Sequence, residues 1–179
     1  MIKTIISFFL NSLGYKIEHF SFRKILPDMD VGFNEILKQC SPYTMTSLER
    51  MYALYEAAKY VIKAGVHGAF VETGVWKGGS AMIAASTFKK FGDISRDIYL
   101  YDTFEGMPEP KDNDVMIANN FPAKKIWEKF KNKHKEEKWM CYAPIEEVEK
   151  NLLKTDYSRE KFIFVKGRVE DTIPSKIPE

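Results

Sequence analysis

The segment Phe70–Ser80 has the sequence FVETGVWKGGS, and this stretch decides the fold. It begins with apolar residues typical of a short buried strand, continues through three glycines, and leads into a predicted helix over residues 79–91. A strand, a glycine-rich turn and a helix in succession are the first unit of a parallel α/β sheet. Glycines let the backbone approach a ligand, and a helix N-terminus attracts an anionic group.

Two further apolar segments predict strands that end in the same way. Ile98–Tyr101 (IYLY) leads directly to Asp102, and Lys161–Val165 (KFIFV) is followed shortly by Glu170–Asp171. The first strand ends at Glu72, so acidic residues follow all three predicted strands. In parallel sheets the ligand lies beyond the carboxyl ends of the strands. We therefore predict a Rossmann-like α/β fold, with three strands evident and a binding site at these acids.

Glu72 favours one class of ligand. The dinucleotide fingerprint Gly-x-Gly-x-x-Gly would place a glycine where Glu72 stands, two residues before Gly74. A carboxylate in this turn repels a pyrophosphate and attracts an ammonium group, while the helix N-terminus attracts a carboxylate. The pattern thus predicts a zwitterionic ligand, such as the methionyl end of S-adenosylmethionine. An NAD-dependent oxidoreductase is the less favoured alternative.

Other residues near the strand ends are candidates for the rest of that ligand. Asp102 is expected to accept hydrogen bonds from both ribose hydroxyls, and Glu170 or Asp171 to accept from the adenine amine. Trp76 and Phe104 are expected to flank the base or the sulfonium, which is attracted to an aromatic face. Each has a structural alternative: a loop cap for Asp102, a helix-capping pair for the two later acids, and core packing for the two aromatic residues.

The sequence before the first strand predicts helices. Residues 1–64 are assigned to an N-terminal helical or lid region, in which a helix begins with Thr46 as its N-cap and ends at Gly65. Residues 65–179 are assigned to the partial Rossmann-like domain, with a helical insertion at residues 111–155.

The insertion contains a basic stretch, Lys124–Lys138, in which Trp127, Phe130 and His134 recur at helical spacing. We predict a helix that packs through this aromatic stripe and leaves its lysines in solvent. The alternative is a cap over an acceptor site that attracts an anionic substrate, such as a sugar nucleotide. Nucleic acid is not favoured, because acidic residues are interleaved with the lysines.

The overall composition indicates a globular domain, with 45% hydrophobic residues and a formal net charge of +2. This balance indicates neither nucleic acid nor an anionic membrane as a partner. Cys40 and Cys141 are predicted to be reduced thiols in a cytoplasmic protein. The apolar run in Met1–Leu10 is shorter than the core of a signal peptide, about 7–15 residues, or a membrane span, about 20. We predict an amphipathic helix there that packs on the domain or on another subunit, with loose membrane-surface association as the alternative.

Four segments, in order, resemble the macrocin O-methyltransferase family. Their sequences are MTSLERMYALYEAAKYV (Met45–Val61), FVETGVWKGGSAMIA (Phe70–Ala84), YDTFEGMPEP (Tyr101–Pro110) and KGRVEDTIP (Lys166–Pro174). The resemblance implies a class I fold and transfer of a methyl group from S-adenosylmethionine to a hydroxyl of a sugar or natural product, with a divalent metal, usually Mg²⁺. It also implies a small-molecule acceptor, no nucleic acid and no stable membrane insertion, and it leaves a homo-oligomer open.

Carried over residue by residue, the resemblance implies a cofactor site. The glycine-rich turn would line the methionyl side, Asp102 would hold the ribose, and the loop 43–46 would close over the cofactor. The full implied set is Tyr43, Thr44, Met45, Glu72, Thr73, Gly74, Val75, Trp76, Gly78, Gly79, Ser80, Asp102, Thr103, Phe104, Glu170 and Asp171.

The family's metal-binding acids and presumed base belong to a fourth and a later strand, and this sequence ends at Glu179 before them. No catalytic or metal-binding residue is therefore assigned, and Asp112 and Asp114 are expected to be solvated turn residues. A non-catalytic, cofactor-binding fragment is the alternative to an enzyme. In the expected strand order 3-2-1-4-5, Phe70–Glu72 would form an exposed edge without strand four, so poor solubility or self-association is expected.

Overall fold

The computed structural model describes residues 28–117, 119–133 and 140–178. The predictions for Met1–Leu10 and His134 lie outside these residues. In chain order, the helices and strands are α1 (Phe33–Cys40), α2 (Leu48–Lys63), β1 (Phe70–Thr73), α3 (Gly79–Lys90), β2 (Ile98–Asp102), α4 (Ala123–Phe130), α5 (Ile145–Leu152), β3 (Phe162–Lys166) and α6 (Val169–Thr172).

The three strands form one parallel sheet in the order β1-β2-β3. In the register of the sheet, Glu72 lies beside Leu100, and Leu100 lies beside Phe164. This arrangement confirms the predicted α/β fold and corresponds to the 3-2-1 part of the expected strand order. Because the strands are parallel, the turn after β1 and the residue Asp102 lie at the same edge of the sheet.

Helix α3 covers one face of the sheet. Its small residues, such as Ala81 and Ala84, are fully buried and allow a close approach to the strands, where Phe70 contacts Phe88 edge-on with ring centroids 6.1 Å apart. The same hydrophobic core continues into α1 and α2 through residues such as Phe33. The helices before β1 therefore pack directly on the sheet domain. The proposed boundary at residues 64 and 65 stays a prediction.

Helix α2 begins one residue later than predicted. Its N-cap is Ser47, whose extended backbone directs the hydroxyl to accept a long 3.5 Å hydrogen bond from the Arg50 N–H. The prediction of Thr46 was wrong, because the Thr46 hydroxyl instead contacts the Thr44 hydroxyl at 3.0 Å. The predicted end is confirmed, since Gly65 follows the helix with a φ of +63°.

Strand β1 lies at the edge of the sheet, where β2 is its one neighbour among the described residues. On the face opposite α3, the Val71 residue is 43% exposed. No helix within the described ranges is long and apolar enough to cross a membrane.

We expect the 179-residue chain to self-associate through the open edge of β1, because backbone groups that face away from β2 can pair with another strand. Val71→Lys places a charge on this strand and should shift the chain toward monomer in sedimentation velocity. Val71→Thr retains the preference for a strand and is the matched control. A monodisperse monomer of the unaltered chain at all concentrations tested would contradict the prediction.

Candidate functional site

The glycine turn, defined as Thr73–Ser80, joins β1 to α3 at the carboxyl edge of the sheet. Gly74 and Gly78 both have a φ of +85°, a left-handed conformation that favours glycine. The Gly74 N–H donates to the Tyr101 carbonyl at 2.9 Å, and the Gly78 N–H donates to the Val75 carbonyl at 2.9 Å. A Cβ added to Gly74 would meet nothing within 4 Å, so the space beside the turn is open to a ligand.

Asp102 fixes this turn from the end of β2. Its Oδ2 accepts hydrogen bonds from the Val75 N–H at 2.6 Å and the Trp76 N–H at 3.3 Å, and its Oδ1 accepts from the Phe104 N–H at 2.7 Å. Because a carboxylate offers about four lone-pair sites, these bonds leave little capacity for two further hydroxyls. The structure shows the loop-capping role that was the alternative for Asp102. The contact with a ribose stays a prediction.

Glu72, unlike Asp102, has a carboxylate oxygen without a hydrogen-bond partner among the described residues. Its Oε2 atom is buried and has no hydrogen-bond partner in the described part of the chain. Desolvation, with a smaller contribution from the charge of Asp102, raises the pKa of Glu72 to about 8 against the lowering effect of hydrogen bonds with Ser80 and the Ala81 N–H. A ligand ammonium group would supply the missing partner. The turn therefore combines a buried acid with a helix N-terminus, as a zwitterionic ligand requires.

The two aromatic candidates lie in different surroundings. Phe104 is only 4% exposed and packs against Phe164, with ring centroids 5.8 Å apart, so its side chain belongs to the core. This is the core-packing alternative for Phe104, and its contact with a base or a sulfonium stays a prediction. Trp76 is half-buried, and the Lys77 ammonium lies 5.6 Å from the centroid of its ring. The neighbouring Thr103 uses its hydroxyl to accept from the Glu105 N–H at 3.3 Å.

The late acids occupy the first turn of α6. Glu170 and Asp171 are exposed, and Glu170 forms an ion pair with Arg168 at 3.2 Å. The backbone N–H of Glu170 and then Arg168 lower the pKa of the Glu170 carboxyl. This geometry is that of the helix-capping alternative, and the adenine contact stays a prediction.

The loop before α2 meets the glycine turn, although about 30 residues separate them in the sequence. A Cβ added to Gly79 would lie 2.5 Å from the Tyr43 carbonyl oxygen and 2.6 Å from the Thr44 Cβ. Glycine is therefore required at residue 79 by this close approach. Met45, in the same loop, is exposed. The structure thus brings the predicted closing loop next to the turn.

The insertion contributes residues that the sequence analysis missed. On α5, Val148 and Leu152 are fully buried and lie beside Gly78, and the Asn151 Nδ2 donates to the Lys77 carbonyl at 3.1 Å. An amide on the apolar face of an amphipathic helix was the available signal, because buried polar groups require partners. Helix α4 confirms the first part of the helix predicted in the basic stretch, and it has no fully buried side chain. The aromatic stripe of α4 is therefore only partly packed.

The structure shows no candidate metal centre within the described ranges, which contain no group of three or more His, Cys, Asp or Glu able to hold an ion. Asp112 pairs with Lys124 at 3.0 Å, and Asp114 accepts from the Lys111 N–H at 2.7 Å. Both acids are exposed, as expected of turn residues. Cys40 and Cys141 do not form a disulfide bond.

We expect Asp102→Asn to lower the free energy of unfolding by about 1–3 kcal/mol, because an amide group cannot accept all three backbone hydrogen bonds. Urea unfolding measures this change. Asp97→Asn, just before the opposite end of the same strand, is the control, since Asp97 forms a half-exposed ion pair with Lys161 at 3.0 Å whose loss should cost about 1 kcal/mol or less. Equal effects of the two substitutions would contradict the role given to Asp102.

The parallel sheet, with its glycine turn at the carboxyl edge, defines an α/β protein of the Rossmann-like class. The sequence profile of the Macrocin-O-methyltransferase (TylF) family matches residues 38–179. The chain belongs to this family, and the resemblance noted from its four segments is confirmed.

Individual relatives are similar over part of their length. The chain is 29% identical over 132 residues to the 8-demethyl-8-(2,3-dimethoxy-alpha-L-rhamnosyl)-tetracenomycin-C 4'-O-methyltransferase of Streptomyces olivaceus. This match covers 74% of this chain and 46% of the relative. It is 32% identical over 72 residues to the Mycinamicin III 3''-O-methyltransferase of Micromonospora griseorubida, and this match covers 40% of this chain and 28% of the relative.

Among solved structures, the O-methyltransferase NovP superposes with a TM-score of 0.58 and 26% sequence identity. The match covers 76% of this chain and 52% of NovP. The chain thus spans about half the length, or less, of the proteins that it matches.

Proposed function

We propose that this chain forms the S-adenosylmethionine-binding part of an O-methyltransferase that acts on a hydroxyl of a sugar or glycosylated natural product. The observation on which this depends is the buried, unpartnered Oε2 of Glu72 beside the N-terminus of α3. Membership in the macrocin O-methyltransferase family supports the reaction class. The relatives named as methyltransferases of a rhamnosyl-tetracenomycin and of mycinamicin III support the class of acceptor.

The residues of the glycine turn fit the methionyl end of the cofactor. The Glu72 carboxylate would pair with the ammonium group, and the first N–H groups of α3, at Gly79 and Ser80, would donate to the ligand carboxylate. The open space beside Gly74 admits the ligand next to the backbone. When bound, the cofactor would supply a methyl group on a sulfonium, and transfer of this group to the acceptor oxygen would release S-adenosylhomocysteine and a proton.

A divalent metal, with Mg²⁺ as the expected ion, belongs to the proposal through the family resemblance. The described residues do not fit it, because they bring no three candidate ligands together. Neither a metal ligand nor a base is assigned to a residue, and no step depends on the metal. A cytoplasmic location is also part of the proposal, since cysteines without a disulfide, such as Cys40 and Cys141, stay reduced there.

The absence of an acidic cluster in the described ranges favours one second candidate, a cofactor-binding chain without turnover. An NAD-dependent oxidoreductase is less compatible with the site, because a pyrophosphate at the turn would lie against Glu72. Ligand preference separates the oxidoreductase from the other two candidates. Methyl transfer to a sugar acceptor separates the enzyme from the binding chain.

We expect calorimetric titration to show binding of S-adenosylhomocysteine in preference to NAD. Glu72→Gln retains the shape of the side chain but not its charge, and should weaken the binding about tenfold or more, as the loss of a charge-assisted hydrogen bond does. Glu146→Gln, at an exposed position of α5, is the matched control and should bind as the unaltered chain does. Binding of NAD alone by the folded chain would disprove the proposal.

We also expect the affinity for S-adenosylhomocysteine to rise as the pH rises from about 6 toward 8. Glu72, whose pKa is about 8, is mainly protonated in the ligand-free chain at neutral pH and must ionise to pair with the ammonium group. Binding near pH 7 should therefore release a proton, which calorimetry detects in buffers of different ionisation enthalpy. Ser80 and the Ala81 N–H form hydrogen bonds with this carboxyl, and the charge of Asp102 acts on it from the end of β2. A pH profile of Glu72→Gln as steep as that of the unaltered chain would contradict this assignment.

A further inference from the structure

Asn151 is a buried amide on the apolar face of α5. It is only 4% exposed, and Val148 and Leu152 on the same face are fully buried. A polar group at such a position lowers stability unless both its donor and its acceptor find partners. The role of Asn151 therefore depends on which groups its amide binds.

The two ends of the amide connect different parts of the molecule. Its Nδ2 donates to the Lys77 carbonyl at 3.1 Å, and its Oδ1 accepts from the Lys154 ammonium at 3.0 Å. The Lys77 carbonyl belongs to the same peptide group as the Gly78 N–H, which donates to the Val75 carbonyl at 2.9 Å. Both polar groups of this peptide thus have partners: the N–H binds within the turn, and the carbonyl binds the insertion.

The peptide group between Lys77 and Gly78 leads into Gly78, the N-cap of α3, and the helix begins at the next residue, Gly79. Holding this peptide group therefore limits the directions that the first N–H groups of the helix can take. The packing of α5 is also close, because a Cβ added to Gly78 would lie 3.1 Å from the Val148 Cγ1. Helix α5 therefore determines where the N-terminus of α3 points.

Lys154 extends these contacts to the loop before α2. Its ammonium donates to the Tyr43 hydroxyl at 2.6 Å and lies 4.3 Å from the centroid of the Tyr43 ring. The Tyr43 carbonyl in turn lies against Gly79. The contacts thus connect Asn151, Lys154, Tyr43 and the glycine turn in a closed ring.

We propose that Asn151 is a positioning residue of the cofactor site, which orients the peptide group between Lys77 and Gly78 and, through Lys154, the loop 43–46. The insertion is then a structural part of the cofactor pocket and not only a cover for the acceptor. This inference rests on the proposed function, since it takes the N-terminus of α3 to be the site of the ligand carboxylate.

Asn151→Leu tests the inference, because it removes both polar ends at similar volume. We expect binding of S-adenosylhomocysteine, measured by calorimetry well below the melting temperature, to weaken about tenfold, the effect of one lost hydrogen bond of about 1–1.5 kcal/mol. In the ligand-free chain, hydrogen exchange of the Gly78 and Gly79 amides should become faster. Lys150→Leu, at an exposed position of the same helix, should change neither quantity.

Lys154→Met tests the second part of the ring. It should weaken binding by less than Asn151→Leu does, and the two substitutions together should weaken it by less than the product of their separate effects, because they act on one network. Independent effects that multiply in full would overturn the role given to Lys154.

Asn151→Asp keeps the acceptor for Lys154 and loses the donor to Lys77, and serves if Asn151→Leu does not fold. It too should weaken binding and speed exchange at Gly78. Unchanged affinity and unchanged exchange in a folded Asn151 variant would overturn the inference and leave the cofactor assignment intact. Failure of the unaltered, folded chain to bind S-adenosylhomocysteine would overturn the proposed function, whereas exchange at Gly78 would still decide whether Asn151 positions the turn.

Discussion

The local structure of the site depends on one carboxylate that accepts three backbone N–H groups. Asp102 joins the end of β2 to the turn after β1 and to its own following loop. Two of the donor residues, Trp76 and Phe104, are non-glycine residues with φ values of +47° and +55°. Such conformations cost about 1–3 kcal/mol each and persist only where the surroundings enforce them. Charge-assisted hydrogen bonds to one acid provide that enforcement at both residues.

Because Asp102 binds the backbone of the turn, Glu72 is not needed for that role and can bind a ligand. The Asp102 oxygens are occupied by amides, whereas the Glu72 Oε2 is buried without a partner among the described residues. The charge of Asp102 also adds to the desolvation that raises the pKa of Glu72. Two acids on either side of the glycine turn thus differ in their environments: Asp102 stabilises the backbone, and Glu72 is suited to a cation from a ligand.

The sequence predicted the strand–turn–helix unit and the position of the acids, because apolar runs, glycines and strand ends are local features. It did not predict which groups bind Asp102, since ribose hydroxyls and backbone N–H groups both require a hydrogen-bond acceptor at that position. Thr46 and Ser47 both offer a hydroxyl, and only the extended backbone at Ser47 decides between them. The contact between Asn151 and Lys77 spans 74 residues, so no local pattern could indicate it.

The stiffness of the glycine turn is therefore a property of the tertiary structure. Glycines alone would make this segment mobile, because they lose the most conformational entropy on ordering. The turn is instead held from β2 by Asp102, from α5 by Asn151, and from the loop before α2 by the close packing on Gly79. Because the turn is already ordered before the ligand binds, binding does not include the conformational entropy cost of ordering it. Affinity for a cofactor should consequently depend on side chains that never touch it, and the insertion supplies one of them.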